Sequence, residues 1–141
     1  TDVEMVRAGI RARLVEGFGG RVLCFLNDPE VEQSSKTAQS TRSALGMRKA
    51  GEAMAGGVVA VGNAPTALFE LMEMVQSGAA RPALIVGVPV GFVGALESKQ
   101  ALSQLDYPHI TNVSERGGST IAAAIVNGLL ALAEKRKETH G

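Results

Sequence analysis

The stretch Val58-Val59-Ala60-Val61-Gly62-Asn63-Ala64-Pro65-Thr66-Ala67-Leu68 decides the fold of this chain. Its first four residues are apolar and either β-branched or small, which is typical of a buried strand, and Gly62-Asn63 ends that strand. Pro65 suits the first turn of a helix, which the pattern extends to about Ser77. The stretch therefore predicts a strand, a glycine turn and a helix whose first N–H groups are free to meet an anionic or carbonyl-bearing ligand.

A second unit of the same kind follows. Residues 83–87 form a short apolar run that predicts a strand, residues 88–94 form a glycine-rich loop, and a helix is expected from Ala95 to about Gln104. Two successive units of this kind imply parallel strands, because the chain must cross back over the sheet between them. Their glycine-rich turns are then expected side by side at the carboxyl edge of one sheet.

A third turn completes the pattern. Residues 109–113 have weaker β character, which favours a strand at the edge of the sheet, and the turn at 116–119 precedes a helix from Ile121 to about Lys135. Apolar residues cover most of that helix, so we expect a second packing partner or a subunit interface there, and the charged tail is expected to fray. The predicted fold class is α/β, a three-layer doubly wound sheet that is mostly parallel and has helices on both faces.

Four further elements are expected upstream of the opening stretch. A short helix over residues 3–9 would take Asp2 as its N-cap. The continuous apolar run at 21–26 predicts a strand buried on both faces. Residues 29–40 are polar and predict a loop, and a helix capped at Ser40 or Thr41 is expected to run to about residue 54.

The composition narrows the class of protein. At 141 residues, the chain is expected to form a single α/β domain over residues 1–141. Its 14 basic and 14 acidic residues balance, which disfavours a nucleic-acid partner. The single Cys24 argues against a disulfide framework or a zinc cluster and is compatible with a cytoplasmic location. No apolar run approaches the roughly 18 residues of a membrane span, so no membrane partner is expected.

Polar, basic and glycine residues gather at the three predicted turns and at the start of the helix near Thr41. Guanidinium groups grip carboxylates bidentately and helix N-termini favour negative charge, so such a set suits a ligand that carries several carboxylates. The candidate binding residues are Thr41, Arg42, Ser43, Asn63, Ala64, Thr66, Gly91, Ser98, Lys99, Arg116, Gly117, Gly118 and Ser119.

Candidates for catalysis are scarcer. His109 precedes an edge strand and is interpreted as a structural imidazole, and His140 lies in the tail that is expected to fray. The chain lacks G-x-G-x-x-G, G-x-x-x-x-G-K-[ST], H-x-x-x-H, C-x-x-C and G-x-S-x-G. This weakens the hypotheses of a Rossmann-like nucleotide binder, a metal-dependent hydrolase and an α/β-hydrolase. No residue of the sequence is therefore predicted to be catalytic or to bind a metal.

Taken together, four motifs resemble the precorrin-8X methylmutase family, the cobalt-precorrin-8 methylmutase group of cobalamin biosynthesis. The opening Asp2-Val3-Glu4-Met5-Val6 and Gly9-Ile10 also look like that family's segment, and the match extends over nearly the whole chain in the family's order. The motifs are Ser40-Thr41-Arg42-Ser43-Ala44, Val61-Gly62-Asn63-Ala64-Pro65-Thr66-Ala67-Leu68, Gly87-Val88-Pro89-Val90-Gly91-Phe92-Val93-Gly94-Ala95 with Glu97-Ser98-Lys99, and Arg116-Gly117-Gly118-Ser119.

The resemblance implies an isomerase of corrin metabolism. Such an enzyme moves a methyl group from C11 to C12 of precorrin-8X or its cobalt form and gives hydrogenobyrinic or cobyrinic acid. The resemblance also implies a parallel α/β fold, a homodimer with the site near the subunit interface, and no metal or organic cofactor. Thr41 and Arg42 fall on the family's substrate-contacting segment.

One expected part of the family is missing from this sequence. The family's proton-donating histidine lies in an N-terminal segment upstream of the position where this chain starts, and neither His109 nor His140 matches it. We therefore expect these 141 residues to be the C-terminal two-thirds of the family domain. Two hypotheses stay open: a methylmutase that takes its proton from a histidine outside this sequence, and a catalytically silent corrinoid-binding fragment or module.

Overall fold

A computed structural model describes all 141 residues, and a small parallel sheet lies at its centre. β1 (Val58–Val61), β2 (Leu84–Gly87) and β3 (His109–Thr111) are adjacent in the order β1-β2-β3. Val59 lies opposite Ile85, which in turn lies opposite His109. The predicted parallel arrangement of the strands is therefore confirmed, and the order of the three strands shows no reversal.

Seven helices surround the sheet. None of them combines the length and the apolar character that crossing a membrane requires. A single 3₁₀ turn, Gly51–Met54, leads from the fourth helix towards β1. The helices are α1 (Glu4–Gly9), α2 (Ala12–Glu16), α3 (Pro29–Ser35), α4 (Arg42–Ala50), α5 (Pro65–Ser77), α6 (Ala95–Ser103) and α7 (Ser119–His140).

Two apolar cores cover the two faces of the sheet, because successive strand residues point to opposite sides. The predicted α/β class with helices on both faces is therefore confirmed. One core joins the sheet to α4, α5 and α6, and it includes Met47, Val59, Val61, Leu68, Leu71, Ile85 and Leu102. The other core joins the opposite face to α1 and α7, and it includes Val6, Ile10, Ala60, Val86, Val88, Ala122, Ala123 and Val126.

The buried carboxylate of Asp2 organises the turn after β1. Only 3% of this residue is exposed, and its oxygens accept hydrogen bonds from the N–H groups of Gly62, Asn63 and Ala64 at 3.0, 2.9 and 2.7 Å. The expectation that these N–H groups await a ligand is therefore wrong. The expectation that Asp2 caps α1 is also wrong, because Val3 is the N-cap residue and makes no side-chain cap bond.

The predicted strand at residues 21–26 does not form. Residues 21–25 form neither helix nor strand, and all of their apolar side chains are only half-buried. Their carbonyl at Leu23 accepts a hydrogen bond from the Thr1 amino group at 2.8 Å. An apolar cleft separates this segment from β1, whereas paired strands lie only about 4.8 Å apart. The strand prediction fails because an apolar sequence alone does not place another strand beside the segment for it to pair with.

Two helical segments also differ from expectation. The predicted loop at 29–40 contains α3, whose N-cap Asp28 accepts a hydrogen bond from the Glu30 N–H at 2.9 Å, with Pro29 in the first turn. The predicted frayed tail is instead the last part of α7. There the Lys137 ammonium group lies 5.3 Å from the centre of the Phe18 ring, which favours continued helix over fraying.

We predict that Asp2→Ala lowers the free energy of unfolding by about 3 kcal/mol, because three N–H groups, of which those of Gly62 and Ala64 are buried, lose a charged acceptor. Chemical denaturation followed by circular dichroism measures this change. Glu4→Gln is the matched control, since Glu4 is a neighbouring carboxylate whose ion pair with Arg7 is exposed, and it should change stability by less than about 0.5 kcal/mol. Equal effects of the two substitutions would contradict the role given to Asp2.

Candidate functional site

The turns that follow the three strands lie side by side at the carboxyl edge of the sheet. The Val88 N–H donates to the Val61 carbonyl at 2.9 Å, and the Gly118 N–H donates to the Val88 carbonyl at 2.9 Å. The Gly91 N–H donates to the Glu115 carbonyl at 3.2 Å. The predicted arrangement of the turns is thereby confirmed. We call residues 62–64, 88–94 and 112–118 the edge turns.

Two glycines in this region permit contacts between protein segments. Gly117 has a φ of +159°, and a Cβ there would lie 2.2 Å from the Val88 carbonyl oxygen. A Cβ on Gly62 would lie 2.7 Å from the Cα of Ser119. The glycines therefore let the edge turns and the start of α7 pack closely, and this close packing explains their presence without a ligand.

A hydroxyl pair brings the start of α4 to the edge turns. Thr41 caps α4 by accepting from the Ala44 N–H at 3.2 Å, as the sequence predicts, and its Oγ1 lies 2.7 Å from that of Thr66 in the first turn of α5. The next residue, Arg42, is exposed, and its Nη2 donates to the Asn27 side chain at 3.3 Å. Arg42 therefore stands beside the edge as an accessible cation.

Lys99 is fully buried in α6, and its ammonium group bonds to other residues of the chain. Its Nζ donates to the Arg116 carbonyl at 2.6 Å and to the Asn112 side-chain oxygen at 3.3 Å. The Asn112 amide nitrogen donates to the same carbonyl at 3.0 Å. Burial lowers the pKa of Lys99, while the negative charge of Glu115 acts in the opposite direction. Lys99 thus fixes the edge turn that carries Arg116.

The remaining candidate binding residues differ in how deeply they are buried. Ser98 is fully buried, and its hydroxyl donates to the Ala95 carbonyl one turn earlier at 2.8 Å, so it presents nothing to the surface. Ala64 and Ser119 are also buried. Exposed candidates are Thr41, Arg42, Asn63, Thr66 and Arg116, and half-buried ones are Ser43, Gly91, Gly117 and Gly118. The accessible part of the edge therefore combines two guanidinium groups with neutral hydrogen-bonding groups.

Sequence reasoning missed an apolar contribution to this edge. Phe92 is 93% exposed and Val93 is 91% exposed in the second edge turn, and Val113 in the third is also exposed. The signal was available, since two large apolar residues stand between Gly91 and Gly94 in a loop. Cations beside an exposed apolar loop can hold a ligand that is apolar on its face and anionic at its rim.

Neither histidine lies at this edge. His109 begins β3, at the opposite end of that strand, and its Nδ1 lies 2.7 Å from the Tyr107 carbonyl. His140 ends α7, and its Nδ1 lies 3.0 Å from the Arg136 carbonyl. The two imidazoles therefore lie near backbone carbonyls of their own neighbourhoods, away from the edge turns.

We predict a pH-dependent stability that Lys99→Met abolishes. Because burial lowers the pKa of Lys99, the unfolded chain holds more protons than the folded chain between the lowered value and the ordinary one of about 10.4. The free energy of unfolding contributed by this site must therefore rise as the pH increases through that window.

Denaturant titrations from pH 7 to pH 11 on both proteins measure the effect as the difference between wild type and Lys99→Met. Taking this difference removes the contribution of Lys49, which is the same in both proteins. The pKa of Lys49 is raised by its hydrogen bond with Glu30, so its contribution to stability changes with pH in the opposite direction. A difference that stays constant with pH would contradict the assignment.

Comparison with known proteins supports a family assignment. The family model described as precorrin-8X methylmutase matches residues 1–132. The chain is 43% identical over 133 residues to the cobalt-precorrin-8 methylmutase of Priestia megaterium, covering 94% of this chain and 59% of the relative. It is 48% identical over 131 residues to the precorrin-8X methylmutase of a Sinorhizobium species, covering 91% of this chain and 61% of the relative.

A solved structure agrees with the sequence comparisons. The precorrin-8X methylmutase from Thermus thermophilus superposes with a TM-score of 0.83 at 37% identity, over 95% of this chain and 65% of that one. The chain thus spans about 60% of the length of the curated relatives it matches. Motifs, fold and comparisons agree, and the chain belongs to the precorrin-8X methylmutase family.

Proposed function

We propose that this chain forms the corrinoid-binding part of a methylmutase. The reaction moves a methyl group from C11 to C12 of precorrin-8X or its cobalt form and yields hydrogenobyrinic or cobyrinic acid. Membership of the family supports the reaction class. The observation that carries the assignment of the site is the carboxyl edge, where Arg42 and Arg116 are exposed near an apolar loop.

The chemistry of the substrate fits this edge. A corrin precursor is a flat macrocycle with carboxylates around its rim, so guanidinium groups can bind the rim while Phe92 and Val93 cover part of the face. Thr41, Thr66 and Asn63 add neutral hydrogen-bonding groups on the same side. Rim contacts are shared by substrate and product, because the two isomers differ only in the position of one methyl group and in ring bonding.

Shared contacts of this kind orient the macrocycle but do not by themselves lower the barrier, since uniform binding of substrate and transition state leaves kcat unchanged. The methyl group leaves C11 and bonds to C12 within one molecule, so the net reaction needs no oxidant. A protonated ring would bias the shift towards product. In this proposal the proton comes from a histidine outside these 141 residues, as the family resemblance implies.

A visible-absorption titration with hydrogenobyrinic acid tests the proposed site. We expect a saturable shift of the macrocycle spectrum, because the bound chromophore exchanges water for guanidinium and apolar contacts. Circular dichroism on the same sample establishes that the chain is folded. A folded chain that leaves the spectrum unchanged at every concentration would contradict the proposal.

We predict that Arg42→Ala weakens this binding by at least about 1.5 kcal/mol, roughly tenfold in Kd, because a charged hydrogen bond to a rim carboxylate is lost. Arg81→Ala is the matched control, since Arg81 is an exposed arginine before β2, at the opposite end of the strand. Its affinity should stay within about twofold of wild type. An equal loss in both variants would show attraction by overall charge and contradict a specific role for Arg42.

We also propose that the chain forms a homodimer through α7. Its outward side carries Ile121, Ala124, Gly128 and Leu132, spaced three and four residues apart, and Ile121 and Leu132 are 45% and 63% exposed. Such a stripe suits a second copy packed along the helix. A homodimer also agrees with what the family resemblance implies.

We predict that Leu132→Asp converts the homodimer to a monomer, because a charge would be buried at the contact. Sedimentation velocity over a range of concentrations measures the change. Lys135→Glu, an exposed change of charge on the same helix, is the control and should leave the dimer intact. A wild-type chain that sediments as a monomer at all concentrations would contradict the dimer.

A further inference from the structure

The third edge turn carries Arg116, one of the two exposed guanidinium groups of the candidate site. The Arg116 carbonyl accepts from the Lys99 ammonium group at 2.6 Å and from the Asn112 amide nitrogen at 3.0 Å, and its N–H donates to the Ser114 hydroxyl at 3.1 Å. Its guanidinium group takes part in none of the ion pairs of the chain. The protein therefore controls the position of this cation through the backbone of Arg116.

The same turn is bonded to the exposed apolar loop. The Glu115 carbonyl, next to Arg116, accepts from the Gly91 N–H at 3.2 Å. Phe92 and Val93 follow Gly91 directly, and both are more than nine-tenths exposed. One hydrogen bond thus links the backbone that carries the cation to the backbone that carries the apolar side chains, so the distance between the two is set by the third edge turn.

Lys99 makes the strongest of the bonds that hold this turn. Its ammonium group is buried in α6, and a buried charge is costly unless hydrogen bonds compensate it. Hydrogen bonds from an ionised donor are about twice as strong as neutral ones. Without Lys99, the Arg116 carbonyl would keep only the bond from half-buried Asn112. The third edge turn would then have more conformations open to it.

A rigid ligand gains from such a restriction. The carboxylates around a flat macrocycle stand at fixed positions, so a cation that binds one of them must also stand at a fixed position. A long arginine side chain loses freedom when it binds, and a backbone that is already fixed leaves less freedom to be lost. Residues that never touch the ligand can therefore set its affinity.

We propose that Lys99 and Asn112 are positioning residues for the corrinoid. They hold the backbone of Arg116 so that its guanidinium group binds a rim carboxylate while Phe92 lies against the face of the macrocycle. Because the ligand is that of the proposed function, this assignment rests on that function. Lys99 and Arg116 then act as one unit, so removing the first leaves little for the removal of the second to cost.

A double-mutant cycle on the 141-residue chain, with hydrogenobyrinic acid as the ligand, measures this coupling. We expect Arg116→Ala to raise the Kd at least about tenfold and Lys99→Met to raise it at least about fivefold. The double variant should bind no more than about twofold more weakly than Arg116→Ala, whereas independent effects would multiply to about fiftyfold. The salt dependence of the Kd should also fall equally in the two single variants, since both lose the same ionic contact.

Lys49→Met is the matched control. It is the same substitution and removes the same charge, but Lys49 lies in α4 and pairs with Asp28 and Glu30. Its Kd should stay within about twofold of wild type, and its effect should multiply with that of Arg116→Ala. Circular dichroism establishes that each variant is folded.

Asn112→Ala replaces Lys99→Met in the cycle if the latter does not fold, because Asn112 is only half-buried and Lys99 keeps its bond to the Arg116 carbonyl. Independent effects in a chain that binds the ligand would overturn the positioning role and leave the proposed function standing. An equal loss in Lys49→Met would show attraction by overall charge and overturn the positioning role as well. A folded wild-type chain without affinity for the ligand would overturn both.

Discussion

The carboxylate of Asp2 is the contact on which the structure depends. It accepts from three consecutive N–H groups and thereby fixes both the end of β1 and the start of α5. The chain continues directly into α1, whose Gly9 carbonyl accepts from Asn127 of α7 at 2.9 Å. The buried carboxylate therefore ties the first residues of the chain to the sheet, and the Asn127–Gly9 hydrogen bond ties the first helix to the last.

Two buried charges hold the edge turns, and neither is neutralised by an opposite charge. Asp2 is satisfied by backbone N–H groups, whereas Lys99 is satisfied by the Arg116 carbonyl and the Asn112 amide oxygen. Burying a charge is costly unless hydrogen bonds compensate it, so both residues restrict the turns to one conformation. Arg42 and Arg116 remain exposed at the edge, which separates the charges that build the site from those that can meet a ligand.

The sequence predicted those parts of the fold whose signals are local. Strand, glycine turn and helix-starting proline stand together at 58–68, so β1, α5 and the parallel order followed from them. Local signals could not show that Asp2 reaches residues 62–64, because sixty residues separate the partners. The prediction that Lys99 is a binding cation fails for the same reason, since its burial depends on the third edge turn folding over α6.

Residues 21–25 are a different case. Their local sequence is typical of a strand, but no other strand lies beside them to pair with. Five apolar residues in a row predict a buried strand, yet burial requires a neighbour on each side. The structure provides one hydrogen bond to Thr1, and an apolar cleft lies between this segment and β1. An apolar run by itself therefore cannot predict a strand, because pairing depends on which other segments fold beside it.

Asp2 joins the free side of β1 to the carboxyl edge of the sheet. Its N–H donates to the Ala60 carbonyl and its carboxylate accepts from the first edge turn, so the bond that holds its backbone also holds the carboxylate in place. The edge turn at 62–64 is therefore fixed through Asp2 by the sheet backbone as well as by one side chain, and a site on preformed turns needs little reordering when a ligand binds.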